Sequence, residues 1–280
     1  MSNYRWIFAL NCVVLVSACH PTSPAEQAVT KTTTNAAGER TEKRLVDGRA
    51  QGRTLVYWPT GTLKGIFYFQ QDSMEGIQRY FYANGRLAVW QQAHRDQAHG
   101  KAYGFLENGR LDYIKQFVNG QQLGRQLLFY PRPPGRLHKH TEFVAVNGEA
   151  WQNGYVEYDT LGRVIERTGF GFPQARAARD TVALGDSLTL HLRLPYPERP
   201  DIMVMLGDFD EQFRLRDSTT LRFVPGRNHA AAVRVPAQRR GRQVVRGYLS
   251  DFRVTGPGPR KGKVAVEEQR LYFAYPYFVR

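Results

Sequence analysis

The chain has 280 residues, 42% of them hydrophobic and 12% aromatic, and a formal net charge of +14. Such a composition can bury a core and excludes a disordered polymer, and past the N-terminus no stretch approaches the roughly 20 consecutive apolar residues of a membrane span. The basic excess favours polyanionic neighbours such as nucleic acid, anionic lipid headgroups or acidic glycans, and it is uneven: residues 175–280 carry nineteen basic against eleven acidic side chains, and residues 46–174 fifteen against eleven.

In chain order, Met1 to Arg5 form a short positive region, residues 6–16 an apolar one, and Ser17-Ala18 supply small residues, the pattern of a secretory signal over 1–18. Val16-Ser17-Ala18-Cys19 resembles the lipobox of bacterial lipoproteins, in which the cysteine thiol receives a diacylglyceryl group and becomes residue one after cleavage. The resemblance implies lipidation of Cys19, contact with the membrane through that anchor and a place in the cell envelope. Neither His20 nor Pro21 is aspartate, which by likeness to enteric lipoproteins points to the outer membrane, facing the periplasm. Nucleic acid is then not expected as a partner. The other cysteine, Cys12, lies inside the discarded segment, so no disulfide is expected. The alternative is an ordinary signal peptide with a coincidental cysteine. Residues 19–45, with Pro21, Pro24, Thr32-Thr33-Thr34 and almost no large apolar side chains, predict a disordered tether.

A repeat follows. Gly52, Gly76, Gly100 and Gly124 lie 24 residues apart, and nine residues after the first three stand Gly61, Gly85 and Gly109. Tyr57, Phe81 and Phe105 precede those glycines by four residues; Trp58, Tyr82 and Leu106 sit beside them, and Leu63, Leu87 and Leu111 follow two residues after the glycines. The fourth copy keeps Phe129 and Tyr130, but Pro133 and Pro134 lengthen its turn and delay Gly135 and Leu137 by two residues. A fifth, decayed copy has Tyr158, Gly162 and Val164. Each unit reads as a β-hairpin: an aromatic-rich strand, a tight turn such as Ala83-Asn84-Gly85, and a second strand.

Over residues 50–167 these units resemble the MORN-repeat variant of bacterial proteins of the YwqK type, whose copies stack into an elongated meandering sheet. Many YwqK-like proteins carry an antitoxin label, and similar repeats serve as protein- or lipid-binding surfaces. The lipoprotein signal departs from that family's pattern. Stacked repeats need aromatic columns to bury one rung against the next. A single sheet also has a second face, so Tyr57, Trp58, Tyr80 and Tyr82, with Arg79 and Arg86, are the candidate contacts for sugar or peptide.

From Asp180 onward the glycine spacing breaks down. Alternating or β-branched runs predict strands at 181–184, 187–194, 202–206, 213–215, 220–224, 231–235, 244–249 and 271–279, a β-sandwich pattern. The segment from Thr181 to Leu190 resembles the first strands of bacterial immunoglobulin-like domains.

Gly185-Asp186-Ser187-Leu188 spells the nucleophile block of GDSL hydrolases, but no Asp-x-x-His follows Ser187 to supply the base, and His191 lies on the same predicted strand. His138 and His140 share a strand face without a third metal ligand nearby, and Asp208, Asp210 and Glu211 read as a solvated turn. Arg239, Arg240, Arg242 and Arg246, with the later Arg260-Lys261-Gly262-Lys263, are a candidate polyanion patch or an exposed, mutually repelling hairpin surface.

The expected molecule is all-β: a signal over 1–18, a tether over 19–45, an elongated antiparallel meander of repeated MORN-like hairpins over 46–174, and an immunoglobulin-like β-sandwich over 175–280. The expected role is non-enzymatic, with neither cofactor nor metal: an envelope lipoprotein binding an envelope protein or acidic polymer through its repeats. The alternative is a toxin-neutralising antitoxin or immunity protein of the YwqK type.

Overall fold

Two kinds of turn alternate along the first half of the chain. At one end of the strands Gly61, Gly85 and Gly109 take φ of +86°, +82° and +85°. The Gly61 N–H donates to Trp58 O, the Trp58 N–H donates to Thr62 O, both at 2.8 Å, and the pattern recurs at Tyr82 and Leu106. Only glycine enters this left-handed region without a Cβ penalty, which explains the column. At the other end Asp47-Gly48, Gln71-Asp72, Arg95-Asp96 and Asn119-Gly120 have positive φ at both central residues. These mirrored turns match the right-handed twist of the strands. Where glycine is missing, a side chain holds the turn: Asp72 Oδ1 accepts the Ala50 N–H at 2.7 Å and Asp96 Oδ1 the Met74 N–H at 2.6 Å.

The computed structural model describes residues 28–165, 171–195, 202–257 and 264–280. Thirteen strands form the first sheet: β1 (Ala28–Thr34), β2 (Arg40–Val46), β3 (Arg49–Tyr57), β4 (Leu63–Gln70), β5 (Ser73–Met74), β6 (Gly76–Phe81), β7 (Leu87–His94), β8 (Gln97–Phe105), β9 (Leu111–Val118), β10 (Gln121–Gln122), β11 (Gly124–Phe129), β12 (Leu137–Val146) and β13 (Glu149–Glu157). Their spatial order follows the chain, with the short β5 and β10 paired on β4 and β9, so the sheet is the expected antiparallel meander. The fifth repeat keeps its turn, with Tyr158 bridged to Val164 and Gly162 at φ +84°.

The tether over 19–45 is corrected where it is described. Residues 28–46 form β1 and β2, in register from Ala28 opposite Val46 to Thr34 opposite Arg40. The β-branched Thr32, Thr33 and Thr34 suit a strand. Asn35 Oδ1 accepts the N–H groups of Ala37 and Glu39 at 3.0 and 2.9 Å, and Gly38 has φ +80°, so the hairpin is one more repeat with asparagine where Trp58 stands in the next. Lack of large apolar side chains does not forbid order here, because β2 gains its partners by extending the ladder of β3. The signal segment and Cys19 lie outside the described residues.

The meander is one layer thick. Its only buried apolar side chains among the described residues are Val46, Ala50, Ala93, Ala102 and Val156. Rings lie flat on the backbone at glycines: a Cβ on Gly104 would sit 2.1 Å from the Tyr113 ring, and one on Gly65 would sit 2.5 Å from Phe67.

The core belongs to the second unit. It comprises β14 (Gln174–Ala177), β15 (Thr181–Val182), β16 (Ser187–Arg193), β17 (Ile202–Phe209), β18 (Leu215–Gly226), β19 (Ala230–Pro236), β20 (Gly241–Pro257) and β21 (Val264–Val279). One sheet runs β14-β16-β19 and the other β15-β21-β20-β17-β18. Leu188, Leu190 and Leu192 of β16 pack against Ile202, Val204, Leu249 and Leu271 of the facing sheet, so the unit is a sandwich. The β14 strand had no sequence signal, and β18 joins two predicted strands. No helix occurs among the described residues, so none of these is long and apolar enough to cross a membrane.

The two units are joined by a backbone hydrogen bond, the Asn147 N–H donating to Gln212 O at 2.9 Å, and by side chains. The Asn153 Nδ2–H donates to Tyr272 O at 2.8 Å, the Tyr272 N–H donates to Asn153 Oδ1, and the Trp151 Nε1–H donates to Arg270 O at 3.3 Å. The last edge of the meander thereby satisfies backbone groups on β21 that have no strand partner there.

Candidate functional site

The aromatic pair of each repeat ties one rung to the next. The Trp58 Nε1–H donates to Phe81 O at 3.3 Å, the Tyr82 hydroxyl to Phe105 O at 2.7 Å and the Tyr130 hydroxyl to Tyr158 O at 2.8 Å. Each polar tip reaches the backbone carbonyl of the equivalent position one repeat on. Arg86 acts alongside, its Nη1–H donating to Glu107 O at 3.2 Å. Trp58, Tyr82 and Arg86 therefore lie along one edge of the sheet, by the glycine turns, with their polar groups engaged in the ladder.

The remaining three candidates divide between the faces. Gly65 stands opposite Tyr80 and Ile66 opposite Arg79, so Tyr80 and Arg79 point to opposite sides. Tyr57 shares the Arg79 side, since Leu55 stands opposite Ile66 and Tyr57 lies two residues beyond it. Its ring lies 4.0 Å beneath the Arg40 guanidinium and its hydroxyl donates to Glu42 Oε2 at 3.2 Å. Tyr80 is 38% exposed, meets Phe67 edge-on at 5.0 Å, and its hydroxyl pKa is pushed up by burial. The six side chains do not converge on one pocket; they belong to an edge and two faces.

What recurs instead is a cation laid over a ring. Lys43 covers Phe69, Lys64 covers Trp58, Lys115 covers Tyr113 and Lys139 covers Tyr155, at 5.2, 4.4, 4.6 and 3.9 Å. Each such contact contributes about 0.5–1 kcal/mol at an exposed site. The register places the Lys43, Lys115 and Lys139 pairs on the Tyr80 face, a row of aromatic and basic side chains that composition alone did not reveal.

In the sandwich, Arg239, Arg240 and Arg242 are exposed around the β19–β20 turn, where Gly241 has φ +90°, and Arg246 is half-buried on β20 opposite Ala274. They follow one strand and its turn rather than enclosing a site. Arg260, Lys261 and Lys263 lie outside the described residues. Gly185 and Asp186 form the β15–β16 turn, the Asp186 N–H donating to Ala183 O at 3.1 Å. Ser187 and His191 both face outward on β16, four positions and roughly 13 Å apart along a strand, so they form no nucleophile–base pair.

The acidic turn is held by its own backbone. Asp210 Oδ1 accepts the N–H groups of Gln212 and Arg214 at 2.8 and 2.9 Å, which holds its pKa below the usual carboxylate value. His138 stacks on Tyr130 and His140 on Phe172, each at 4.4 Å, and no cluster of three potential metal ligands occurs among the described residues.

Two clusters went unnoticed in the sequence. His140 Nε2 is buried without a hydrogen-bond partner, and burial, then the nearby Arg125, push its pKa down. Glu142 stands opposite Arg125, its pKa raised by burial against the pull of that arginine. The second cluster is a groove of about 350 Å³ on the outer side of the three-stranded sheet, lined by Gln174, Arg176, His191, Arg193 and the β19 alanines. The alternation of Ser187-Leu188-Thr189-Leu190-His191-Leu192-Arg193 could have placed His191 and Arg193 outward; nothing marked Arg176 as their neighbour.

No protein-family profile matches the sequence, and no curated protein matches it significantly.

Proposed function

We propose that the protein is a non-enzymatic envelope lipoprotein, anchored through Cys19, whose repeat sheet is a scaffold for a protein or an acidic polymer of the envelope. The observation that carries the reading is the single layer. A sheet whose rungs are locked by ring-to-carbonyl bonds keeps its shape without a second layer. Both its faces then remain free, the Tyr80 face presenting the aromatic and basic row, and long repeat surfaces suit extended partners. The lipobox-like Val16-Ser17-Ala18-Cys19 supports the proposed location.

The test is capture from native envelopes by the acylated full chain, with a salt wash, compared with an Arg79→Glu/Tyr80→Ala variant that alters both faces. A discrete partner retained through the wash and lost with the variant supports the reading. Recovery only of bulk acidic polymer that moderate salt releases, or equal capture by the variant, overturns it.

A further inference from the structure

The outer side of the β14-β16-β19 sheet is a different surface from the repeats, and its charge is unbalanced. The register places Gln174 opposite Arg193 and Arg176 opposite His191 on one flank of β16. On the other flank Ala230 stands opposite Arg193, Ala232 opposite His191 and Arg234 opposite Thr189. Directly opposed side chains start about 5 Å apart, and alternate residues along a strand about 7 Å apart. Two guanidinium groups, those of Arg176 and Arg193, and the His191 imidazole thus share a patch the size of one small ligand, with Arg234 at its rim.

The outward positions of these strands hold no carboxylate: they are Gln174 and Arg176, then Ser187, Thr189, His191 and Arg193, then Ala230, Ala232, Arg234 and Pro236. Among the described residues none of Arg176, Arg193 and Arg234 forms an ion pair. Elsewhere the protein does pair such groups, as with Arg163 and Asp159 or Arg270 and Glu268. The alanines on β19 leave a shelf beside the long side chains, and the resulting groove of about 350 Å³ is of ligand size.

We propose that this groove binds a phosphate group carried on a small polar body, with Arg176 and Arg193 as its principal donors, His191 as a third and Arg234 at the rim. A guanidinium presents its N–H groups as a fork that matches phosphate oxygens. A single carboxylate would occupy one arginine and leave the others unneutralised, whereas a phosphomonoester carries nearly two charges at neutral pH. Its source is a free phosphorylated sugar or a phosphate-bearing lipid headgroup.

The test is equilibrium binding of the purified full chain in detergent at fixed ionic strength to glucose 6-phosphate and inorganic phosphate. A second arm uses phosphatidylcholine vesicles doped with phosphatidic acid, with undoped vesicles as reference. Saturable binding is expected, weakened about ten-fold or more by Arg176→Gln or Arg193→Gln, as for one lost charge-assisted hydrogen bond. Ala232→Glu, which puts a carboxylate on the shelf, abolishes it. The double variant Arg53→Gln/Arg132→Gln removes two exposed charges elsewhere and leaves it unchanged. Binding of the sugar phosphate assigns a free ligand and binding only of doped vesicles assigns a headgroup; both support the site. Absence of binding in every arm, or equal weakening by the distant double variant, overturns it.

Discussion

Replacing Asn153 by alanine removes the buried pair of hydrogen bonds among those that join the meander to the sandwich, and its cost can be worked from the structure. The side chain is 2% exposed, its amide donates to Tyr272 O at 2.8 Å, and its carbonyl oxygen accepts the Tyr272 N–H. Alanine leaves both backbone groups of Tyr272 without a partner in a dry place, and each unsatisfied buried group costs about 1–3 kcal/mol. A water molecule entering the space left by the amide recovers part of this, so a loss of about 2–4 kcal/mol is expected. For a chain of this size that lowers Tm by roughly 5–15 °C. Urea denaturation followed by tryptophan fluorescence and by far-ultraviolet dichroism measures it. The two probes should report a single transition in the wild type and separate transitions in Asn153→Ala, as the sandwich and the meander uncouple. Trp151→Phe, which deletes one hydrogen bond at an exposed ring, is the control, with an expected loss of about 1 kcal/mol or less. A change below about 0.5 kcal/mol for Asn153→Ala, within the range of an ordinary surface substitution, would refute the reasoning.

Gly104→Ala forces a methyl group to within 2.1 Å of the Tyr113 ring, so a destabilisation of about 1–3 kcal/mol is expected by denaturant titration. Tyr82→Phe removes only the bond to Phe105 O at 2.7 Å; it should cost about 0.5–1.5 kcal/mol and raise hydrogen exchange at the β6–β8 rungs more than at β16. For pH, burial lowers the folded-state pKa of His140 below its ordinary 6.5. The unfolded chain therefore takes up a proton first as pH falls, and the folded state loses stability below that value and keeps it above. Stability measured from about pH 7.5 down to 5.5, above the ordinary carboxylate range, should fall more steeply in the wild type than in His140→Gln; parallel curves would contradict the burial argument.

The glycines made the meander legible, because a positive φ is a backbone demand written directly into residue type. Gly61, Gly85 and Gly109 sit where the turns require them. The N-terminal hairpin was illegible by the same logic: its Asn35 and Gly38 satisfy the turn, but β1 and β2 carry no aromatic pair, and the apolar content that usually signals order is not needed by a rung borrowing its partners from β3. The leucines of β16 announced a sandwich strand through strict alternation. By contrast β14, four residues of alanine, arginine and glutamine, has neither length nor pattern, so the Arg176 that completes the basic groove could not be placed beside Arg193 before the register was known. The aromatic candidates failed to converge for a related reason. Neighbours in sequence such as Arg79 and Tyr80 point to opposite faces of a strand, and a column read along the chain is spread across rungs in space.

Intact mass and fragmentation of the N-terminal peptide, from protein extracted from native membranes with detergent, tests the proposed anchored scaffold most directly. The expected result is a chain that begins at Cys19 and carries a thioether-linked diacylglyceryl group. A peptide that retains the residues before Cys19, or one with an unmodified thiol at that position, would contradict it.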